Sequence, residues 1–356
     1  MYQYQHLNKF WKNKKVFLTG HTGFKGTWLS IFLNLLGAKV MGYSLKPQTS
    51  QNLYKLTNLD KNIYKSTIGD IRNYNKMKKN IFDFSPDFIV HMAAQPLVGQ
   101  SYIDPIYTYE VNTMGTINIL NILNDLNITK TALFITTDKV YANDNKKKYF
   151  KEKDPLGGND PYSNSKSCAE LAINSYNYSF FKEKKIFISS ARAGNVIGGG
   201  DFSNDRIIPD YFRSLEGNKK LLLRSPNSIR PWQHVLDPLY GYILLLMKLY
   251  KKQIPSGSNF NFGPNKSSNK SVEEVVDLIN KNFDNSVKKI MNNNSNSYQE
   301  SKVLMLNSDK AKQQLNWKTR YNLQQSLDLT SVWYKESFKK KNIYDITQNQ
   351  IRNYIN

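Results

Sequence analysis

The chain has 356 residues, and its 50 lysines and arginines against 28 acidic residues give a formal net charge of +22. A chain of this length can bury a sizeable core, as one large or two modest domains. Its one cysteine, Cys168, excludes an internal disulfide and a cysteine-rich metal site and indicates a reducing compartment. Because the basic residues are spread along the chain, we expect a solvated surface and no nucleic-acid partner.

No targeting or membrane segment is evident. The N-terminal lysines are not followed by an apolar segment or a cleavage site. The longest apolar stretch, from Tyr240 to Met247, is too short to cross a bilayer. We therefore expect a cytoplasmic protein without a membrane partner.

The first strand and the glycines after it predict a phosphate site. Val16 to Thr19 is a short apolar strand, and the helical pattern from Trp28 to Leu36 follows the glycines. Glycines at such a turn let the backbone approach a pyrophosphate, which then lies on the amides of the helix N-terminus. A tight turn that binds no ligand is the less favoured alternative. The predicted cofactor-binding residues here are Gly20, Thr22, Gly23, Phe24, Lys25 and Gly26.

The second strand, Gly37 to Tyr43, lacks the acidic residue that would hold an adenosine ribose at its end. Lys46 could meet a ribose phosphate, but it has no arginine partner, so NAD is preferred to NADP. Asp70 and Ile71 follow a third short strand and are predicted to lie against the adenine. Alternatively, Asp70 only caps the helix that follows.

The fourth strand, Asp87 to His91, is followed by small side chains that allow close approach of a ribose or nicotinamide. Ala93, Ala94 and Gln95 are therefore predicted cofactor contacts. Asn112 lies in the helical run from Tyr109 to Asn124. It either bonds a backbone carbonyl or helps to order Lys166.

The fifth strand begins at Thr131 and turns abruptly polar at Thr137, Asp138 and Lys139. Open α/β sheets bind their ligands at the carboxyl ends of the strands. Tyr162 and Lys166 share one face of the next helix. A capping side chain and a proline at the first helical position mark the start of this helix. These five residues form a proton-handling set if the helix lies against the strand end. Alternatively, Tyr162 and Lys166 are an ordinary pair on a helix surface, and Asp138 and Lys139 form an ion pair at the strand end.

Strands alternating with helices predict an α/β fold, a Rossmann-like doubly wound parallel sheet with a smaller C-terminal substrate-binding domain. The sixth strand is predicted at Lys185 to Ala191, the last strand at 259–263, an amphipathic helix at 271–283 and a polar loop at 292–297. We assign 10–191, with a return segment at about 232–262, to dinucleotide binding. The substrate domain is then 192–231 and 263–340.

The segment that begins at Arg192 is predicted to form loops, because its arginines and asparagines suit the binding of a diphosphate better than a position in the core. Surface salt bridges are the alternative for its arginines. The predicted substrate-binding residues are Asn195, Arg206, Arg230 and His234.

The glycine loop, the Tyr162 and Lys166 pair, Asn112 and the arginine loops together resemble the extended short-chain dehydrogenase/reductase family of nucleotide-sugar enzymes, over roughly residues 10–335. Thr137 and Asp138 resemble the 4,6-dehydratases, which usually carry glutamate at the next position. Here that position is Lys139. Lysine there, with the sequences at 20–28, 192–201 and 230–234, is similar to the branch that acts on CDP-glucose.

The resemblance implies an NAD-dependent lyase that removes water from a nucleotide sugar in deoxysugar biosynthesis, such as that of lipopolysaccharide O-antigen. Tyr162 would take the proton of the sugar 4-hydroxyl, its pKa lowered by Lys166. Asp138 would protonate the departing 6-hydroxyl, and Lys139 would remove the C5 proton. A homodimer through helices around 105–124 and 162–181 is also implied. The alternatives are a nucleotide-sugar epimerase, an inverting dehydratase and a non-catalytic dinucleotide sensor.

Overall fold

The computed structural model describes residues 2–144, 148–283, 286–291 and 303–356. The predicted polar loop at 292–297 lies outside these ranges. The strands are β1 Lys15–Thr19, β2 Lys39–Ser44, β3 Lys65–Ile68, β4 Phe88–His91, β5 Thr131–Ile135, β6 Tyr149–Phe150, β7 Phe187–Ala193, β8 Val196–Ile197, β9 Leu221–Leu223, β10 Ile229–Pro231, β11 Gln233–His234, β12 Ser258–Phe262, β13 Asn269–Ser271, β14 Lys289–Met291 and β15 Met305–Leu306.

Helices lie between most of these strands. The α-helices are α1 Tyr2–Trp11, α2 Phe24–Leu35, α3 Leu53–Leu56, α4 Leu59–Asn62, α5 Tyr74–Phe84, α6 Val98–Ile103, α7 Pro105–Tyr109, α8 Gly115–Leu126, α9 Pro161–Tyr176, α10 Lys182–Lys184, α11 Ile207–Glu216, α12 Leu236–Tyr250, α13 Val272–Asn280, α14 Asp309–Leu315, α15 Leu323–Phe338 and α16 Ile343–Ile355. Within the described ranges, none is long and apolar enough to cross a membrane.

Seven parallel strands form the central sheet, in the order β12-β7-β5-β4-β1-β2-β3. The chain runs outward from β1 to β3, returns to the other side of β1 at β4, and then runs outward again. The order therefore reverses between β1 and β4, which is where open α/β sheets bind ligands. This arrangement confirms the predicted doubly wound α/β fold.

Both faces of the sheet are buried along its central strands, as the continuous apolar runs of β1, β4 and β5 require. Along β5, Leu133 and Ile135 point into a core that also contains residues of α2 and α12. Ala132 and Phe134 point into the opposite core, with residues of α5, α8 and α9. Helix α9 therefore lies on one face of the sheet, beside the end of β5.

Two predicted elements differ from the structure. The helix predicted from Tyr109 to Asn124 contains a turn of π-helix, Glu110–Met114, between α7 and α8. Such turns often occur at functional sites, and this one carries Asn112. The sixth strand extends to Ala193, so Arg192 lies in β7 and is buried. The prediction that Arg192 belongs to a loop was therefore wrong.

The chain beyond β7 contributes one more strand to the main sheet, β12, and several small two-stranded sheets. Pairs such as β10 with β13 and β11 with β8 lie outside the seven-stranded sheet. Helix α16 packs against α2 and α15. The division into a cofactor domain and a substrate domain stays a prediction.

Candidate active site

In the glycine loop between β1 and α2, other backbone atoms lie so close to Gly20 and Gly26 that a side chain would not fit at either position. Gly20 has φ +80°, and a Cβ there would lie 2.8 Å from the backbone nitrogen of Ala93. A Cβ on Gly26 would lie 2.0 Å from the carbonyl oxygen of Gly20. Gly23 is exposed and is the N-cap of α2, so no side chain caps the first amides of that helix. Such amides at a helix N-terminus can hold a phosphate.

The other loop residues face in different directions. Thr22 donates its hydroxyl to the carbonyl of Leu45 at 2.8 Å, so its side chain ties the loop to the end of β2. Phe24 is half-buried. The ammonium of Lys25 donates to the Tyr242 hydroxyl at 3.2 Å. Burial, followed by the charges of Arg206 and Lys166, lowers the Lys25 pKa to about 7, so this side chain lies among the predicted catalytic groups.

The predicted adenine contacts lie at the end of β3. Arg72 donates to the Asp70 carboxylate at 2.7 Å, and a second bond joins Arg72 to Glu110 at 2.7 Å. The side chain that caps the next helix is Asn73, so the alternative role of Asp70 as the cap is wrong. Ile71 is buried, and its terminal carbon would lie 2.5 Å from a Cβ on Gly115.

Hydrogen bonds fix the turn after β4, where Ala93 and Ala94 are half-buried and Gln95 is buried. The amide of Gln95 donates to the Asn112 side-chain oxygen at 2.9 Å. The Asn112 amide group donates to the Gln95 carbonyl at 3.1 Å and to the Ser165 hydroxyl at 3.0 Å. Asn112 therefore bonds a backbone carbonyl, as one of its two predictions stated, and joins this turn to α9.

Helix α9 begins as predicted, with Asp160 as the N-cap and Pro161 at the first helical position. Its first turn places Tyr162 beside the end of β5, close to the Thr137 hydroxyl. Burial raises the pKa of Tyr162 to about 12, while the Thr137 hydroxyl and the charge of Arg206 lower it. The prediction that Lys166 lowers the Tyr162 pKa therefore differs from the structure, in which the effect of burial on that pKa dominates.

Lys166 is buried one turn further along α9. Its ammonium donates to the carbonyl of Ile135, the last residue of β5, at 3.3 Å. Burial lowers its pKa to about 8, and the Glu170 carboxylate opposes that change. The lysine thus remains largely an ammonium at neutral pH.

Asp138 is buried in the turn that follows β5. One carboxylate oxygen accepts from the Thr137 hydroxyl at 3.1 Å. The other is buried without a hydrogen-bond partner among the described residues, and it faces Gly194, where an added Cβ would lie 2.9 Å away. Burial raises the Asp138 pKa to about 6, although the charges of Lys139 and Arg230 lower it. A carboxyl with this pKa is partly protonated near neutrality.

Two predicted cationic side chains act on this carboxyl, and a third acts on the neighbouring Tyr162. Lys139 is half-buried and its positive charge acts on Asp138. Arg230 is buried, and its charge acts on the same carboxyl. Arg206 donates to Asp201 at 3.3 Å and its charge acts on Tyr162 and Lys25. The structure therefore brings these residues of distant chain segments to one place.

The other two predicted substrate residues have different surroundings. Asn195 is half-buried, and its carbonyl accepts from the Gln233 amide at 3.1 Å. His234 is completely buried, with Trp28 and Tyr321 edge-on to its ring. Burial lowers its pKa to about 3. This enclosed position favours a structural role for His234 over the predicted substrate contact.

Sequence reasoning missed the buried groups that hold the site in place. His91 at the end of β4 bonds Thr19 at 2.8 Å and Thr116 at 3.2 Å, and the Thr19 hydroxyl accepts the amides of Met92 and Ala93 at 3.1 Å. Glu170 pairs with Arg192 inside the protein. A signal for Glu170 was available, since it follows Lys166 by one helical turn.

The site thus combines a dinucleotide cradle with a tyrosine, a buried lysine, a partly protonated carboxyl and several cations. Tyrosine and lysine on one helix face beside a cofactor cradle suit proton transfer during hydride transfer. These features define a class of dinucleotide-dependent enzymes. The described ranges contain no cluster of three or more His, Cys, Asp or Glu side chains suited to a metal ion.

The family model described as GDP-mannose 4,6 dehydratase matches residues 17–330, so the chain belongs to this family, within the extended short-chain dehydrogenases/reductases. The chain is 40% identical to CDP-glucose 4,6-dehydratase of Salmonella typhimurium over 351 residues, 97% of each chain. It is 25% identical to human dTDP-D-glucose 4,6-dehydratase, covering 91% of each chain.

Solved structures agree in fold. The dTDP-glucose 4,6-dehydratase of Bacillus anthracis in complex with NAD has a TM-score of 0.75 and 24% identity, covering 92% of this chain and 98% of that one. An epimerase of Methanothermobacter thermautotrophicus has a TM-score of 0.80 and 21% identity, covering 95% and 96%.

Proposed function

We propose that the chain is an NAD-dependent lyase that removes water from CDP-glucose and yields CDP-4-keto-6-deoxyglucose. The observation that carries the proposal is the pair Asp138 and Lys139, an acid and a potential base held side by side at the end of β5, near Tyr162 and Lys166. The similarity to CDP-glucose 4,6-dehydratase over 97% of the chain supports the choice of substrate.

The cradle fits NAD. The crossings at Gly20 and Gly26 leave space only for backbone, and the uncapped amides of α2 suit a pyrophosphate. Asp70, Ile71 and the turn at 93–95 would hold the adenosine and nicotinamide ends. When bound, NAD would supply hydride transfer from and back to the sugar.

Tyr162 is the group that takes the proton of the sugar 4-hydroxyl. The positive charge of Arg206 favours the phenolate that this role needs. Lys166 remains an ammonium beside the end of β5 and supplies a fixed positive charge. The product of this step is a 4-ketone, which acidifies the proton on C5.

Asp138 and Lys139 then carry out the elimination. Lys139, acting as a neutral amine, removes the C5 proton, and Asp138 gives its proton to the departing 6-hydroxyl, which leaves as water. The raised pKa of Asp138 supplies the protonated form that an acid requires. Arg206, Arg230 and Asn195 are the proposed contacts of the substrate, with the two arginines as diphosphate ligands.

Incubation with CDP-, dTDP-, UDP- and GDP-glucose, followed by mass analysis, tests the assignment. We expect CDP-glucose to lose water fastest. Faster loss of water from another nucleotide sugar would replace the substrate but keep the dehydratase class. Inversion at a sugar carbon without loss of mass would favour an epimerase, and binding of NAD without any turnover would favour a sensor.

We also propose a cytoplasmic homodimer that acts in deoxysugar biosynthesis, such as that of O-antigen. Helices α7 and α9 pack together. Support for the dimer comes from exposed apolar side chains on these two helices: Ile106 is 72% exposed and Leu171 is 58% exposed. Sedimentation of Leu171→Glu should give a monomer if this face is the interface. The exposed Phe82→Glu on α5 is the control and should remain dimeric.

A further inference from the structure

Helix α9 carries a third polar residue in register with the predicted catalytic pair. Tyr162, Lys166 and Glu170 follow one another at intervals of four residues and therefore share one face of the helix. The first two lie beside the end of β5. Glu170 lies one turn deeper and is fully buried.

Both oxygens of the Glu170 carboxylate are occupied. The Thr136 hydroxyl donates to it at 2.5 Å and the Ser190 hydroxyl at 2.8 Å. Arg192 donates to it twice, at 2.9 Å each, in a bidentate pair. Thr136 is the residue that joins β5 to the Thr137 and Asp138 turn, so Glu170 holds the base of the catalytic turn directly.

Stability alone is a weak reason for this pair. Burying two charges costs much of what their attraction returns, and apolar side chains of similar size often serve as well. The pair lies between the tyrosine helix and the catalytic turn. Its position therefore points to a role in that site.

The charges around Lys166 show what the role is. His91 of β4 is neutral, since burial lowers its pKa to about 3. Lys25 of α2 repels the ammonium when it is protonated, and Tyr162 of the same helix is neutral at rest. Arg192 of β7 is paired with Glu170. Glu170 is thus the carboxylate that opposes the burial of Lys166.

We infer that Glu170 is a positioning residue for the proposed dehydration: it keeps buried Lys166 charged and fixes Thr136 at the base of the turn that carries Asp138. The inference rests on the proposed function for its consequence in catalysis. The charge state of Lys166 can be measured without any turnover.

The first test is an NMR titration of isotopically labelled lysine side chains in the NAD-loaded protein. The Lys166 signal is assigned by its loss in Lys166→Met. In Glu170→Gln we expect its midpoint to fall by about 1 unit, since a nearby opposite charge shifts a pKa by about 1–3 units. The exposed Glu183→Gln is the matched control and should leave the midpoint unchanged.

The second test is the pH profile of turnover. The alkaline limb of kcat should move to lower pH in Glu170→Gln by the same amount as the NMR midpoint, with little change in KM. If the single variant does not fold because Arg192 is left unpaired, the double variant Glu170→Gln with Arg192→Gln removes both charges and should shift the midpoint in the same direction by a smaller amount.

The inference would be overturned if the Lys166 midpoint were the same in the wild type and in whichever of these variants folds. Glu170 would then contribute to stability alone. Failure of the wild type to convert any nucleotide sugar would instead overturn the proposed function. The NMR result would be unaffected, so the two failures are distinguishable.

Discussion

At the scale of single residues, Asp138 is the predicted acid whose surroundings can be tested most directly. Its raised pKa of about 6 means that the protonated form is lost as pH rises through that value, so water loss should slow there. Asp138→Asn should lower the rate of water loss by about 10²–10⁴-fold, the usual contribution of a general acid, and should abolish that dependence. The measurement is the rate of water loss against pH.

The exposed Asp83→Asn is the control for this experiment, and its profile should match the wild type. Exchange of the C5 hydrogen with heavy water should continue in Asp138→Asn, because Lys139 is intact. A variant that eliminates water at the wild-type rate would contradict the assignment.

Lys139 is the predicted base for the C5 proton. Lys139→Met should still oxidise C4, because Tyr162 and Lys166 remain, so reduced nicotinamide should accumulate. Water loss and C5 exchange with heavy water should both fall by about 10²–10⁴-fold. Mass analysis of substrate recovered from heavy water checks this.

The surface variant Lys182→Met should behave as the wild type in the same assay. Near-normal C5 exchange in Lys139→Met would show that another side chain is the base.

The residues that the sequence predicted share a property: their chemistry is visible in the local pattern. Glycine at a crossing, or tyrosine and lysine one turn apart, can be recognised from spacing alone. Arg192 was misplaced because its partner, Glu170, lies on another element, and a lone arginine after an apolar run resembles a loop residue. The Thr19 and His91 contact was also invisible, since it joins the ends of two strands far apart in sequence.

At the scale of elements, strands and helices were predicted well where the local signal was strong, as in the apolar run of β5 and the capped start of α9. The interruption between α7 and α8 was not, because a turn of π-helix keeps the helical composition and changes only the hydrogen-bond register. Placement of β10, β11 and β13 outside the main sheet could not be predicted, since these short strands pair through contacts distant in sequence.

Asp237 at the start of α12 predicts how the attachment of α16 depends on pH. Its carboxylate accepts from the Tyr354 hydroxyl of α16 at 2.7 Å and from the Arg320 amide at 2.8 Å. Burial raises its pKa from 3.8 to about 7, so between these values the folded chain binds more protons than the unfolded chain. The resulting stabilisation is complete below pH 3.8 and is lost as pH rises through about 7.

Asp237→Asn should remove this dependence. At pH 8 it should be more stable than the wild type by up to roughly 4 kcal/mol, the free energy equivalent to a pKa change of about three units. Urea unfolding across the pH range measures the difference between the two proteins. The exposed Asp328→Asn should follow the wild-type curve, and parallel curves for Asp237→Asn and wild type would contradict the prediction.

At the scale of the whole molecule, the net charge of +22 is the dominant surface property. We expect it to attract anionic sugar nucleotides and to bind duplex DNA only weakly, since specific binding needs basic residues gathered on one face. Electrophoretic mobility shifts should show weak association that disappears as salt rises. Tight binding to one defined DNA sequence at physiological salt would contradict this prediction.

Strand β12 also bears on how the protein is made. Its Asn261 accepts from the Tyr141 hydroxyl at 2.7 Å, and the same hydroxyl accepts from Arg192 at 2.9 Å. During synthesis the cofactor cradle emerges from the ribosome long before residue 261. We therefore expect nascent chains stalled before β12 to bind NAD while the loop around Tyr141 remains open to proteases. Equal protection of that loop in stalled and complete chains would argue against an active site that closes only when β12 docks.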